Sequence, residues 1–254
     1  MSEVQDAVRQ RYADAAKRIA GNGSTADSCC CCSDPDCGCG ATYSAAELRE
    51  IGLTAGVSLG CGNPTLLAGL QPGQIVLDLG SGAGLDVLLS ARRVSPGGHA
   101  YGVDMTDEML EVANQNRARA GIENATFLKG TIDAIPLPES AIDVVISNCV
   151  INLAEDKASV IREAYRVLKP GGLFAVADMV EVEPLAPQIK KQVDAWAGCI
   201  SGTIAVDEYR KVMLEAGFAE PEVEIHSIQA MAGGHGSVGS AYIRARKPST
   251  LLLE

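Results

Sequence analysis

Nine cysteines in 254 residues, six of them crowded between Cys29 and Cys39, are the side chains best equipped to do chemistry. The other three stand apart: Cys61 in SLGCGNP, Cys149 in ISNCVINL and Cys199 in WAGCISG. Thiolate is a soft ligand, and a set of three suits a soft, thiophilic, three-coordinate centre. No CxxC…CxxC spacing links them as a zinc site would require. Free cysteine also serves as a small core hydrophobe, and the apolar run around Cys149 is open to that reading. His99, His226 and His235 lie in strand or glycine-loop contexts that suit a surface or hydrogen-bonded imidazole.

A second constellation is Asp78-Leu79-Gly80-Ser81-Gly82-Ala83-Gly84, directly after the apolar run IVLDL. Glycines let a backbone turn sharply and approach a ligand, and the helix that follows offers its N-terminus to a carboxylate. The spacing is G-x-G-x-G, with Leu85 where a dinucleotide fingerprint wants its third glycine. Asp78 at the mouth would repel a diphosphate and attract the α-ammonium of a methionine moiety. That sign of charge favours S-adenosylmethionine over NAD. Asp104 ends the next strand, where a carboxylate can take both ribose hydroxyls, and Met105 beside it suits an adenine face. Strand-end capping is the alternative for both aspartates.

These residues need a scaffold, and the sequence supplies alternating strands and helices from Gln74 onward. IVLDL (75–79), HAYGVD (99–104), ATFLKG (125–130), DVVISN (143–148) and LFAVAD (173–178) read as strands. Helices are expected over 85–94, over 106–120 with Thr106 as cap, and over 157–168 before a tight KPGG turn. Such repeats imply a parallel sheet covered on both faces. The first helix, 3 to about 20, ends at Gly21-Asn22-Gly23, and residues 22–43 form a loop without periodicity. Ser44 with Glu47 makes a capping box, and Asn63-Pro64 an N-cap and first turn. Helices over 187–200 and 206–217 and strands over 222–230 and 240–248 close the chain. The expected parts are 1–73, carrying the first helix and the cysteine loops; 74–180, the cofactor-binding core; and 181–254, which completes the substrate pocket.

A 47% hydrophobic content fills a core of this size, while no stretch reaches the roughly 18 apolar residues of a membrane helix. MSEVQDAVRQ lacks a signal-peptide core, so the expectation is a soluble, cytoplasmic protein whose thiols are reduced. A net charge of −11 with 21 Lys and Arg disfavours nucleic acid and favours a small-molecule substrate.

DLGSGAG, GVDMTDEML, the IPLP segment, DVVISN and RVLKPGG resemble the successive motifs of class I methyltransferases dependent on S-adenosylmethionine, over roughly residues 74–180. The resemblance implies a seven-stranded, mostly parallel Rossmann-like α/β sheet, its last strand antiparallel. It implies Asp78, Gly80 and Gly82 at the methionine part, Asp104 and Met105 at ribose and adenine, Ile132 and Asp133 at the adenine edge, and Asn148 near the sulfonium. SLGCGNPTLLAGL, ISNCVINL, WAGCISG, the VRQRYA helix start and the YIRARKP ending resemble arsenite methyltransferases over nearly the whole chain. From that resemblance Cys61, Cys149 and Cys199 are implied as arsenic(III)-handling thiols, with Trp196 near the pocket wall. A fourth cysteine is implied in the N-terminal region. Cys32 is the candidate there, but Cys29, Cys30, Cys31, Cys37 and Cys39 are equally eligible. An insertion of longer members before the closing strands has almost no room here.

The implied function is transfer of methyl groups from S-adenosylmethionine to thiol-bound arsenite, an arsenic detoxification, with thioredoxin or glutathione as reductant. One rival is methylation of a small organic acceptor such as a quinone. Another is a non-catalytic metalloid-binding protein in which the cysteine-rich segment does the work.

Overall fold

The computed structural model describes residues 3–21, 43–51, 62–190, 200–231 and 234–249. Seven strands form one sheet: β1 Ile75–Leu79, β2 His99–Asp104, β3 Ala125–Lys129, β4 Ile142–Asn148, β5 Leu168–Glu183, β6 Ala219–Ala230 and β7 Ser237–Arg246. Their order is β3-β2-β1-β4-β5-β7-β6. The first five strands pair parallel, whereas β7 runs antiparallel to both β5 and β6. The expected Rossmann-like architecture is thus present, with its antiparallel closing strand.

β1 pairs with β2 on one side and β4 on the other, and every residue from Val76 to Leu79 is buried. Side chains alternate across the strand. Leu77 and Leu79 pack with Val160, Ile161 and Ala164 of α6 (Lys157–Val167) and with Tyr209 and Met213 of α8 (Val206–Glu215). Val76 faces the other way, onto Leu70 and Val94. On that second face α4 (Leu85–Arg93) packs Val87, Leu88 and Leu89 against Ala100 of β2 and against Tyr43, Leu48 and Ile51, which flank or belong to α2 (Ala45–Glu50). α1 (Glu3–Gly21) lays Ala15 and Ala16 on Met109 and Val112 of α5 (Asp107–Ala120).

Local signals explain the starts of the short helices. Ser44 and Glu47 form the capping box that opens α2, and the Asn63 side chain accepts from the Leu66 amide to open α3 (Pro64–Leu67). Two expectations differ. Thr106 precedes α5 but makes no side-chain cap; it is its backbone amide that bonds Asp104. The KPGG turn falls inside β5 and not before it: Leu168 already pairs with Ile142, the next partners are Val144 and Leu173, and the strand then runs to Glu183. Of the helix expected over 187–200, the described part is α7 (Pro187–Lys190). Among the described residues no helix is long and apolar enough to cross a membrane.

Candidate active site

The carboxyl ends of β1, β2 and β4 open onto a cleft of about 210 Å³. Gly80, Asp104, Met105, Ile132 and Asp133, all expected at the cofactor, line it. Asp78, Gly82 and Asn148 are absent from its lining. Among the wall residues not expected from the sequence are Val8 and Tyr12 of α1, and Val150 and Leu153 beyond β4. A leading amphipathic helix was legible; that its apolar stripe covers a ligand cleft was not, because helical periodicity does not say what the stripe packs on.

The glycine loop is shaped by what a side chain would meet. Gly80 has φ +68, and a Cβ there would lie 2.4 Å from Val150 Cγ1. Gly82 has φ +49 with nothing within 4 Å of where its Cβ would be, so the backbone is laid bare. Asp104 is held at both oxygens: the Gly82 amide donates to Oδ2 at 2.9 Å and the Thr106 amide to Oδ1 at 2.8 Å. The carboxylate that should meet the ribose is thereby tied to the loop that should meet the methionine.

Three carboxyl groups crowd behind this loop. Burial pushes Asp78 well above the usual carboxylate range, and the negative charges of Asp86 and Asp104 push it further. Burial raises Asp86 to about 6 against the opposing hydrogen bonds from Tyr43 and Asn148. Asp104 is also raised by burial, its loop amides and Thr106 holding it back. Buried carboxyl groups that ionise more readily beside a cation, next to a bare glycine backbone, fit a cationic nucleoside such as S-adenosylmethionine. They would repel a dinucleotide diphosphate.

Cys149 follows β4 and is 5% exposed, in an apolar cluster with Val8, Leu153, Tyr12, Met105 and Met179. Met105, Val8, Tyr12 and Leu153 also line the cleft, so the sulfur stands next to the cofactor wall. Its backbone has φ +58, in the left-handed region that costs a non-glycine residue on the order of 1–2 kcal/mol. Cys149 is also disulfide-bonded. Cys32 and the other cysteines of the N-terminal loop, together with Cys61, Cys199 and Trp196, lie outside the described residues.

Asn148 is bound up differently from expectation. Its Nδ2 donates to the Gly62 carbonyl at 2.7 Å and to the Tyr43 hydroxyl at 3.0 Å, while its Oδ1 accepts from the Gly62 amide at 3.2 Å. Tyr43 in turn donates to Asp86, 2.7 and 2.9 Å from the two carboxylate oxygens. Burial, then Asp86, raises the Tyr43 phenol well above its ordinary range, so it stays protonated as that donor.

Comparison with known proteins bears directly on this geometry. Residues 70–217 match a family model described as a methyltransferase domain. The crystal structure of CrArsM, an arsenic(III) S-adenosylmethionine methyltransferase from Chlamydomonas reinhardtii, superposes with a TM-score of 0.68 at 33% identity, over 83% of this chain and 72% of that one. The chain belongs to the arsenite methyltransferase family. An arsenite methyltransferase of Halobacterium salinarum is 39% identical over 87% of this chain, which spans 59% of the Halobacterium protein's length. A demethylmenaquinone methyltransferase of Listeria monocytogenes is 32% identical over 50% of this chain. The arsenite methyltransferase likeness thus reaches well beyond the cofactor core, whereas the quinone-enzyme likeness covers half the chain.

Proposed function

We propose that this protein transfers methyl groups from S-adenosylmethionine to trivalent arsenic held by cysteine thiolates. The observation that carries the reading is the position of Cys149: its sulfur shares one apolar cluster with Met105, Val8 and Tyr12, three residues that wall the cofactor cleft. Once its disulfide is reduced, this sulfur is a soft ligand beside the place where a methyl group would be presented.

Asp104, Met105, Ile132 and Asp133 would hold the nucleoside, and the loop backbone at Gly80 and Gly82 the methionine part. Bound there, S-adenosylmethionine supplies an electrophilic methyl. Cys61, Cys149 and Cys199 are the proposed arsenic ligands, with one N-terminal cysteine, Cys32 or a neighbour, as a further thiol. Arsenic bound by thiolates keeps a lone pair, so no residue has to remove a proton from the acceptor. The site's work is orientation, exclusion of water by α1, and keeping the thiols ionised. Transfer leaves arsenic formally pentavalent, and oxidation of two thiols to a disulfide returns it to the trivalent state. Thioredoxin or glutathione in the cytoplasm would then reduce that disulfide.

The test is incubation of the purified protein with arsenite, S-adenosylmethionine and a thiol, with speciation of the arsenic. Methylated arsenicals formed in step with S-adenosylhomocysteine support the reading. Tight arsenite binding without methyl transfer would favour a metalloid-binding protein, and turnover of a quinone in place of arsenite would favour the organic-acceptor rival.

A further inference from the structure

We propose that Met179 is a specificity residue of the acceptor site, its thioether supplying a fixed soft contact to the arsenic that Cys149 holds. This rests on the arsenic reading above and adds to it a residue that is neither a thiol nor a cofactor contact.

Methionine is ordinarily the most adaptable of apolar side chains, an unbranched stem with a polarisable sulfur that fills whatever gap a core leaves. Met179 of β5 is instead held at its amide, its carbonyl and its sulfur. The amide donates to Asp178 Oδ1 at 2.8 Å, and the carbonyl accepts from Asn152 Nδ2 at 2.6 Å. The sulfur accepts from the Ser240 hydroxyl at 3.3 Å. Ser240 stands directly opposite Met179 in the antiparallel pairing of β5 with β7, so the two side chains leave the same face of the sheet. Asn152 belongs to the turn beyond Cys149, and the Cys149 amide itself donates to the carbonyl of Ala177 on β5 at 2.8 Å. The strand that carries the thioether and the turn that carries the thiol are therefore tied to each other by their backbones.

The side chain of Met179 packs against the cluster that Cys149 forms with Val8 and Leu153, and Tyr12 and Met105 complete its surroundings. An atom bonded to the Cys149 sulfur is set down among these groups, of which Met105 and Met179 carry a soft lone pair. Met105 lines the cofactor cleft, where it is assigned to the adenine; Met179 is not among the cleft's wall residues. That leaves Met179 for the acceptor. A thioether sulfur has two lone pairs, and the Ser240 hydroxyl engages one of them, which fixes the side chain and leaves the other to a ligand. Trivalent arsenic bearing thiolates accepts electron density opposite its arsenic–sulfur bonds, and a soft donor suits it better than oxygen. No bond is made or broken by this contact. It steadies the arsenic and adds to the electron density of the lone pair that attacks the methyl, whereas an oxygen-centred acceptor gains nothing from it.

The experiment compares reduced wild type with Met179→Leu, Ser240→Ala and the double variant. It measures arsenite affinity by equilibrium dialysis, initial rates of methyl transfer against arsenite concentration, S-adenosylmethionine affinity by calorimetry, and thermal unfolding. Leucine keeps the volume and apolar character of methionine and removes the sulfur. Met179→Leu should weaken arsenite binding by about threefold to tenfold and raise the KM for arsenite in step, while S-adenosylmethionine affinity stays within about twofold. Ser240→Ala should cost about twofold to threefold in arsenite affinity alone and nothing further in the double variant, because its effect passes through the sulfur. Wild-type arsenite affinity in Met179→Leu overturns the proposal, and so does a loss shared equally by both ligands, which marks a packing defect. Additive losses in the double variant overturn it as well. Should Met179→Leu not fold, wild-type arsenite affinity in Ser240→Ala overturns it. A wild type that binds no arsenite overturns the arsenic reading and the inference with it.

Discussion

Asn152, in the turn beyond Cys149, is fastened to the buried carboxyl of Asp178: its Nδ2 donates to Asp178 Oδ1 at 2.8 Å and its backbone amide faces Oδ2 at 3.3 Å. Asp178 sits near the carboxyl-terminal half of β5, 1% exposed, and the same Asn152 Nδ2 reaches the Met179 carbonyl at 2.6 Å. The segment that carries the candidate thiol is thus held by an acid with almost no access to water.

Burial raises the Asp178 carboxyl from 3.8 to about 7, opposed by the Met179 amide, the Lys157 ammonium and the backbone amides of Asn152 and Ile151. The folded value lies above the unfolded one, so the protonated acid favours the fold. That contribution is present below pH 4 and is lost as the pH rises to 7. Tyr209, whose phenol is raised by burial and then by Asp178, stays neutral throughout. Urea unfolding should show stability falling over this interval by roughly 4 kcal/mol more in wild type than in Asp178→Asn. Parallel pH profiles for the two proteins would contradict this account.

Asp78 and Asp104 carry raised pKa values because they are buried, with mutual repulsion adding at Asp78. A cationic ligand relieves that repulsion, so S-adenosylmethionine binding should release protons and weaken as the pH falls. Calorimetry in two buffers of different ionisation enthalpy reads the proton count. Asp104→Ala should lose at least about tenfold in cofactor affinity with arsenite binding intact; proton uptake, or an unchanged cofactor affinity, would remove these residues from the site.

Gly202 faces the other side of the Asn152 turn. A Cβ at this position would lie 2.0 Å from the Asn152 carbonyl oxygen. Gly202→Ala should therefore push the backbone at Gly202 away from the Asn152 turn. The expected result is a loss of roughly 1–3 kcal/mol in stability and a fall in arsenite turnover larger than any change in cofactor affinity. Wild-type melting and turnover would show that the contact relaxes without consequence.

Six cysteines lie between Cys29 and Cys39, and the proposed chemistry needs at most one or two of them. Single serine substitutions there should each cost less activity than Cys61→Ser, Cys149→Ser or Cys199→Ser, as initial rates on arsenite would show. One loop substitution that abolishes all turnover would identify an irreplaceable thiol among them.

Much of the scaffold was legible because its signals are local. IVLDL and HAYGVD are apolar runs of strand length, Ser44 with Glu47 is a reciprocal cap, and Asn63-Pro64 opens α3 as its types dictate. The joining of Tyr43, Gly62, Asp86 and Asn148 was not legible, since these residues are far apart in sequence and meet through tertiary packing. Asn148 was assigned by its place at the end of β4, which is where it stands, but a strand end does not reveal which way a carboxamide turns. The turn residues of KPGG take up the register shift in β5, but the pairing of Leu168 with Ile142 ahead of them is a tertiary contact that no local signal announces. For the cleft, Asp104 and Met105, expected from their place at a strand end, lie on its wall. Val8 and Tyr12 came from a helix some ninety residues earlier, beyond the reach of any local signal.

The most direct test of the central claim is transfer of a deuterated methyl from S-adenosylmethionine to arsenite by reduced wild type and Cys149→Ser, read by mass spectrometry of the arsenic products. The account predicts deuterated methylarsenicals from wild type and essentially none from Cys149→Ser, with cofactor affinity preserved in both. Wild-type rates of labelled methylarsenical formation by Cys149→Ser would contradict it.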